Sequence, residues 1–126
     1  MPLEGRDLAY LRDMLDHAQE VRAYAADLSY TRYKNDRTWQ LVVERVLQII
    51  GEAANHVSVA TRAAHPEIAW GDIIGQRDVL SHKYGNIDHD ELWNTVTLHV
   101  PVLIRQLEAF IPPAPDARPH GWDTES

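Results

Sequence analysis

Residues 38–57 read TWQLVVERVLQIIGEAANHV, and this stretch decides the fold class. Its apolar side chains recur at three- and four-residue spacing, which is the period of one helix face and not of a β-strand. The apolar arc consists of Trp39, Val43, Val46, Leu47, Ile50, Ala54 and Val57. Asn35 and Asp36, just ahead of it, are both good N-cap residues. The stretch therefore predicts an amphipathic helix of about twenty residues that buries one face.

Three further segments show helical patterning. The first, residues 6–28, carries the apolar positions Leu8, Leu11, Leu15, Ala18, Val21, Ala25 and Leu28. Another helix is predicted over residues 70–85, because the glycine at its end supplies a left-handed C-terminal stop. A last one begins at Asp88, where Glu91 completes a capping box, and Pro101 inside it predicts a kink. Since no segment alternates as a strand would, the sequence predicts an all-α, antiparallel bundle of four main helices.

Composition is that of one compact domain. Apolar residues make up 44% and charged residues 25% of the 126 residues, which are ordinary globular values. The absence of cysteine excludes disulfides, thiolate zinc sites and a cysteine nucleophile. With no signal-like or membrane-spanning apolar run, we expect a cytoplasmic protein. We expect the helical domain to occupy residues 1–111, and the proline-rich residues 112–126 to form a flexible tail.

The overall charge opposes binding to nucleic acid. The formal net charge is −7 at pH 7, so the molecule as a whole repels a polyanion at long range. A role in nucleic-acid chemistry therefore requires a local site, or an assembly that concentrates positive charge.

An arginine lies on the apolar face of the third predicted helix, in the stretch RDVLSHKYGN at residues 77–86. At 100° per residue, about 100° of arc contains Ile73, Arg77, Leu80, Ser81 and Tyr84. A guanidinium on such a face is costly unless a carboxylate or a bound anion meets it. Arg77 is therefore a candidate anion-binding residue.

Asp78 and His82 lie one helical turn apart on a neighbouring face. A carboxylate at that spacing can accept a hydrogen bond from one imidazole nitrogen and leave the other free for proton transfer. One helix cannot easily aim both Arg77 and His82 at the same phosphate. A second copy of the helix, contributed by a symmetric homodimer, solves that geometry and doubles the local positive charge.

Five motifs in this order resemble the HepT branch of the HEPN family, and together they cover most of the chain between residues 5 and 110. The motifs are IIGEAA at 49–54, HPEIAW at 65–70, IIGQRDVLSHKYG at 73–85, IDHDELWNTV at 87–96 and VPVLIRQLE at 100–108. The family mark is RxxxxHxY, which here is Arg77, His82 and Tyr84. At Asp78 the chain departs mildly from the many relatives that carry asparagine.

The resemblance implies a small helical-bundle toxin of a type VII-like toxin–antitoxin system, encoded beside an MntA-type nucleotidyltransferase antitoxin. It implies metal-independent endoribonuclease activity on RNA such as tRNA or mRNA, at a cleft between two protomers, with no cofactor. In that scheme His82 acts as general base or acid, Arg77 stabilises charge on the phosphate and Asp78 orients and polarises. Tyr84 corresponds to the tyrosine that the antitoxin modifies with AMP, which blocks the toxin.

Plainer interpretations of the same residues remain open. Arg77 could form an interhelical salt bridge with Glu44 or Glu52, and Tyr84 could be a packed aromatic side chain. The acidic cluster DHDE at 88–91 could suggest a metal site, but helix capping explains it and no metal is predicted. At the level of function, the alternative is a non-catalytic binding subunit of a nucleotidyltransferase complex, which the net acidity favours.

Overall fold

The computed structural model describes residues 5–82 and 87–113, and within those ranges it contains helices and no strand. In chain order the elements are α1 (Gly5–Ala26), α2 (Tyr30–Lys34), α3 (Arg37–His56), α4 (Val59–Ala64), α5 (Trp70–His82), α6 (His89–Asn94), a π-helical segment (Thr95–His99) and α7 (Val100–Glu108). The all-α prediction is confirmed. Most of the expected tail, residues 114–126, lies outside the described part of the chain.

The core forms where α1, α3 and the run from α6 to α7 meet. Six of the seven residues on the predicted arc of α3 are buried, and Trp39 is half-buried against the core. Asp36, and not Asn35, is the N-cap of α3, since its side chain accepts from the backbone N–H of Trp39 at 3.3 Å. Burial of one α3 face against two neighbouring helices accounts for the bundle.

Two short helices were not expected from the sequence. Ser29 caps α2 and Ser58 caps α4, each by accepting a hydrogen bond from a backbone N–H three residues on. With five and six residues, these helices are too short to show a period in the sequence.

The irregularity that Pro101 predicts takes the form of the π-helical segment directly before it. There the backbone N–H of Val100 donates to the carbonyl of Thr95, five residues earlier. Pro101 has no N–H to donate, and α7 continues beyond it to Glu108. The last main helix is thus α6, a π-helical segment and α7 in series.

Gly51 sets how closely α5 approaches α3. A Cβ atom built on Gly51 would lie 2.3 Å from the Cβ of Arg77 and 3.0 Å from the carbonyl oxygen of Ile73. Any larger residue would push the two helices apart, because neither of these atoms is at the free end of a side chain. Gln48, about one turn earlier, donates from Nε2 to Ser81 Oγ at 2.8 Å. These contacts fix α5 on α3.

A buried carboxylate ties the start of α1 to the junction between α3 and α4. Asp7 is only 3% exposed. It accepts from the backbone N–H of Ser58 at 3.0 Å, from Ser58 Oγ at 2.6 Å and from Thr61 Oγ1 at 2.5 Å. Burial acts to raise the pKa of Asp7, but the hydrogen bonds from Ser58 and Thr61 outweigh it and hold the pKa below its usual value.

We expect Asp7→Asn to lower the free energy of unfolding by about 1–3 kcal/mol at pH 7, because the amide cannot accept all three hydrogen bonds. A lowered folded pKa stabilises the protein above the unfolded pKa, and this contribution is lost as the pH falls through the folded value. Urea unfolding at pH 7 and near pH 3 should therefore show a smaller difference between wild type and variant at the lower pH. Asp13→Asn, on the exposed side of α1, is the control. A variant as stable as wild type at pH 7 would contradict this account.

None of the described helices is both long enough and apolar enough to cross a membrane.

Candidate functional site

Arg77 lies on the side of α5 that faces α3, with its side chain 26% exposed. Its Nε is 3.0 Å from Asp78 Oδ1, which is ion-pair distance. The N–H of Nε does not point toward this oxygen closely enough to form a hydrogen bond. Nε is therefore a buried donor without an acceptor in the described part of the chain. Such a donor favours a bound anion.

The carboxylates considered as interhelical partners of Arg77 bind other cations. Glu44 Oε2 is 2.9 Å from Nη1 of Arg37, and Glu52 Oε1 is 3.8 Å from Nη1 of Arg45. The salt bridge from Arg77 to α3 is therefore not formed.

His82 is exposed at the C-terminal end of α5, and its Nδ1 is 2.9 Å from the backbone carbonyl oxygen of Asp78. Because a carbonyl only accepts, Nδ1 carries the proton of this hydrogen bond. In the neutral imidazole, Nε2 is then unprotonated and can act as a base.

The prediction that the Asp78 carboxylate accepts a hydrogen bond from His82 is wrong. The imidazole bonds to the backbone of Asp78, while the carboxylate lies beside Arg77. Helical side chains point back toward the N-terminus, which brings the imidazole to the carbonyl four residues earlier. Asp78 thus orients His82 through its main chain and offsets the charge of Arg77 through its side chain.

A second copy of the RxxxxH pattern exists in the chain, and the sequence reasoning missed it. Arg12 and His17 on α1 have the same spacing, and His17 Nδ1 lies 2.8 Å from the carbonyl oxygen of Asp13. Here, however, the arginine is engaged, since Arg12 Nη2 donates to the carbonyl of Pro112 at 3.1 Å. The second residue after His17 is Gln19, where the other copy has a tyrosine. The imidazole contact alone therefore does not mark a site.

Tyr84 belongs to residues 83–86, which lie outside the described part of the chain. Its role therefore stays a prediction.

His89, at the start of α6, lies near two residues that the sequence did not connect with it. Its Nδ1 is 3.3 Å from Tyr33 Oη and 3.9 Å from Glu44 Oε2. Burial, and next the charge of Glu44, raise the pKa of Tyr33, so its phenol stays neutral and can donate.

The acidic residues at the start of α6 have structural partners. Asp88 is the N-cap and accepts from the backbone N–H of Glu91 at 3.1 Å. Asp90 Oδ1 accepts from Tyr30 Oη at 2.7 Å and from Lys34 Nζ at 2.8 Å. Within residues 5–82 and 87–113, no three histidine or acidic side chains are grouped as metal ligands.

Comparison with known families decides the relationship. The model of the family described as "Ribonuclease HepT-like" matches residues 14–110. The chain belongs to this family. The matched region includes Arg77, Asp78, His82 and Tyr84, and it begins after Arg12.

The similarity to relatives in the family covers nearly the whole length of those relatives. A candidate RNase of Methanocaldococcus jannaschii is 34% identical over 84% of this chain and 98% of its own. A second one from that organism is 29% identical over 84% of this chain and 92% of its own. The probable ribonuclease HepT of Thermococcus cleftensis is 31% identical over 79% of this chain and 90% of its own. No solved structure matches the chain.

Proposed function

We propose that this chain is an endoribonuclease of the HepT kind, with His82 and Arg77 as its catalytic residues. The observation that carries the proposal is the presence on α5 of an exposed imidazole and an arginine: within the described residues, His82 Nε2 forms no hydrogen bond and Arg77 Nε has no acceptor. Membership in a family of HepT-like ribonucleases, and relatives named as RNases, support it.

The reaction needs a base near a ribose 2′-hydroxyl. Nε2 of His82 takes the 2′-hydroxyl proton, and the oxygen attacks the adjacent phosphorus. The bond from phosphorus to the 2′-oxygen forms as the bond to the 5′-oxygen of the next nucleotide breaks, and the leaving oxygen takes up a proton. The products are a 2′,3′-cyclic phosphate and a free 5′-hydroxyl. Every step uses protein groups, so we propose that cleavage requires no metal ion.

Arg77 supplies the electrostatic part of the proposed mechanism. The negative charge on the phosphate oxygens grows in the transition state, and the Arg77 guanidinium, whose Nε has no acceptor in the described part of the chain, stabilises it. The Asp78 carboxylate, 3.0 Å from Nε, occupies the place of an anion in the free protein. An incoming phosphate therefore competes with Asp78 for Arg77.

We place the reaction at the cleft of a homodimer. His82 and Arg77 point to different faces of α5, and a second copy of the helix brings one of each to the same phosphate. The second imidazole can then protonate the leaving 5′-oxygen. Two copies also double the local positive charge, which a chain of net charge −7 needs to bind RNA.

We further propose that the protein is the toxin of a toxin–antitoxin pair and that an MntA-type nucleotidyltransferase neutralises it. The Tyr84 phenolate oxygen would attack the α-phosphate of ATP and form a phosphodiester, with pyrophosphate leaving and the phenol proton lost. Tyr84 is two residues from His82 in the sequence, so the adduct would add bulk and negative charge beside the catalytic imidazole.

The modification can be tested by intact mass. After co-expression with an MntA-type nucleotidyltransferase, we expect wild type to gain one or more adenylyl groups and Tyr84→Phe to gain none. Tyr30→Phe, which removes an exposed phenol elsewhere, should gain the same mass as wild type. Adenylylation that persists in Tyr84→Phe would rule out Tyr84 as the acceptor.

A further inference from the structure

An open groove of about 950 Å³ lies between α5 and the run from α6 to α7. The apolar side chains along it include Leu47, Ile50, Ile73, Leu80, Leu92 and Leu103. Among the described side chains of α5, only Gln76 forms a hydrogen bond across it, from Nε2 to Thr95 Oγ1 at 3.3 Å. The main packing partner of α5 is α3, on the opposite side. The groove therefore separates two helical elements that have little direct contact.

Two valines leave apolar surface exposed at this groove. Val79 on α5 is 40% exposed and Val102 on α7 is 41% exposed, and both line the groove. Along α5 the lining runs from Gly71 to Leu80, about 15 Å at the rise of an α-helix. These dimensions suit two to three turns of a docked helix, a common mode of recognition.

The formally charged residues in the described lining of the groove are all acidic. Its lining includes four carboxylates, Glu67, Asp72, Asp88 and Glu91, and the described lining contains no lysine or arginine. Of these four, only Glu67 has a described charge partner, the half-buried ring of His65 at 3.4 Å. An acidic margin repels RNA and attracts lysine and arginine.

We propose that this groove binds a cationic amphipathic helix of a partner protein. The apolar face of that helix would cover Ile73, Val79 and Val102, and its lysines and arginines would meet the four carboxylates. A second copy of this chain fits the charge less well, because it also carries net charge −7. The proposal is independent of RNA cleavage, since neither Arg77 nor His82 lines the groove.

The test uses a fluorescent synthetic peptide about three helical turns long. It has leucine at i, i+3, i+4 and i+7 and lysine at most other positions, and its affinity for the full chain is measured by anisotropy. We expect the peptide to bind and a version with glutamate in place of every lysine not to bind. Failure of the lysine peptide to bind, or equal binding of both peptides, would overturn the proposal.

Matched variants locate the binding surface. The double variant Asp72→Asn, Glu91→Gln should weaken binding about tenfold, because two exposed charge pairs are lost. Asp16→Asn, Glu20→Gln removes the same charge from the exposed side of α1 and should leave the affinity unchanged. Equal weakening by both double variants would mean general charge attraction, and would overturn the proposal.

A second pair of double variants tests the apolar lining of the groove. Val79→Ser, Val102→Ser should also weaken binding about tenfold, since both residues lie at the groove. Leu41→Ser, Val59→Ser changes exposed apolar residues elsewhere and should not alter the affinity. Circular dichroism melting confirms that each variant is folded. Unchanged affinity in the folded Val79 and Val102 variant would contradict an apolar docking face.

Discussion

The His82→Ala variant is expected to cleave RNA about 10²–10⁴-fold more slowly than wild type, because it removes the group that transfers the proton. The side chain is exposed and its only described hydrogen bond is to the backbone of its own helix. Its loss should therefore change the free energy of unfolding by less than about 0.5 kcal/mol. The measurement is the single-turnover rate of cleavage, with thermal melting as the check on folding.

The chain provides a matched control for this variant. His17 makes the same contact with the carbonyl four residues earlier and follows an arginine at the same spacing. His17→Ala should keep the full cleavage rate, because Arg12 is bound to the carbonyl of Pro112. A loss of activity in His17→Ala as large as that in His82→Ala would point to a structural effect and not to proton transfer.

The second large effect is expected at Gly51. Gly51→Ala puts a methyl group where the Cβ of Arg77 lies 2.3 Å away, so α5 or α3 must shift. Overpacking of this kind should lower the free energy of unfolding by about 1–3 kcal/mol. It should also slow RNA cleavage by about 10–100-fold, because Arg77 is displaced from its position. Urea unfolding and single-turnover cleavage measure the two effects.

Gly75→Ala is the control for that change. Gly75 lies inside α5, and a Cβ built on it meets no atom within 4 Å. Alanine there should stabilise the protein by about 0.5–1 kcal/mol through its higher helix propensity, with cleavage unchanged. If Gly51→Ala is as stable and as active as Gly75→Ala, the close approach of α3 and α5 does not position Arg77.

The main helices could be predicted because their apolar positions repeat over many turns. On α3 the predicted arc coincides with the buried face, and Asp88 caps α6 with its side chain as the capping box predicts. The helices α2 and α4 could not be predicted, since each has fewer than two full turns. The π-helical segment before Pro101 depends on how the chain accommodates a missing donor, and the sequence indicates only that some irregularity must occur.

The sequence predicts where the residues of the candidate site lie on α5 better than it predicts which atoms they contact. Helical spacing placed Arg77 toward the core and His82 on another face, as the structure has them. Spacing could not decide whether the imidazole meets the carboxylate or the carbonyl of Asp78, because both lie one turn away. The contact between Gly51 and Arg77, and that between His89 and Tyr33, join segments distant in sequence. Neither contact can be read from the sequence around the residues that form it.

We propose that this protein cleaves RNA through His82 without a metal ion. The most direct test is incubation of total cellular RNA with the purified protein in EDTA, followed by analysis of the fragment ends. Our account predicts 2′,3′-cyclic phosphate and 5′-hydroxyl ends for wild type and His17→Ala, and intact RNA for His82→Ala. Cleavage that persists in His82→Ala or stops in EDTA would contradict it, and no cleavage by wild type would favour a non-catalytic binding subunit.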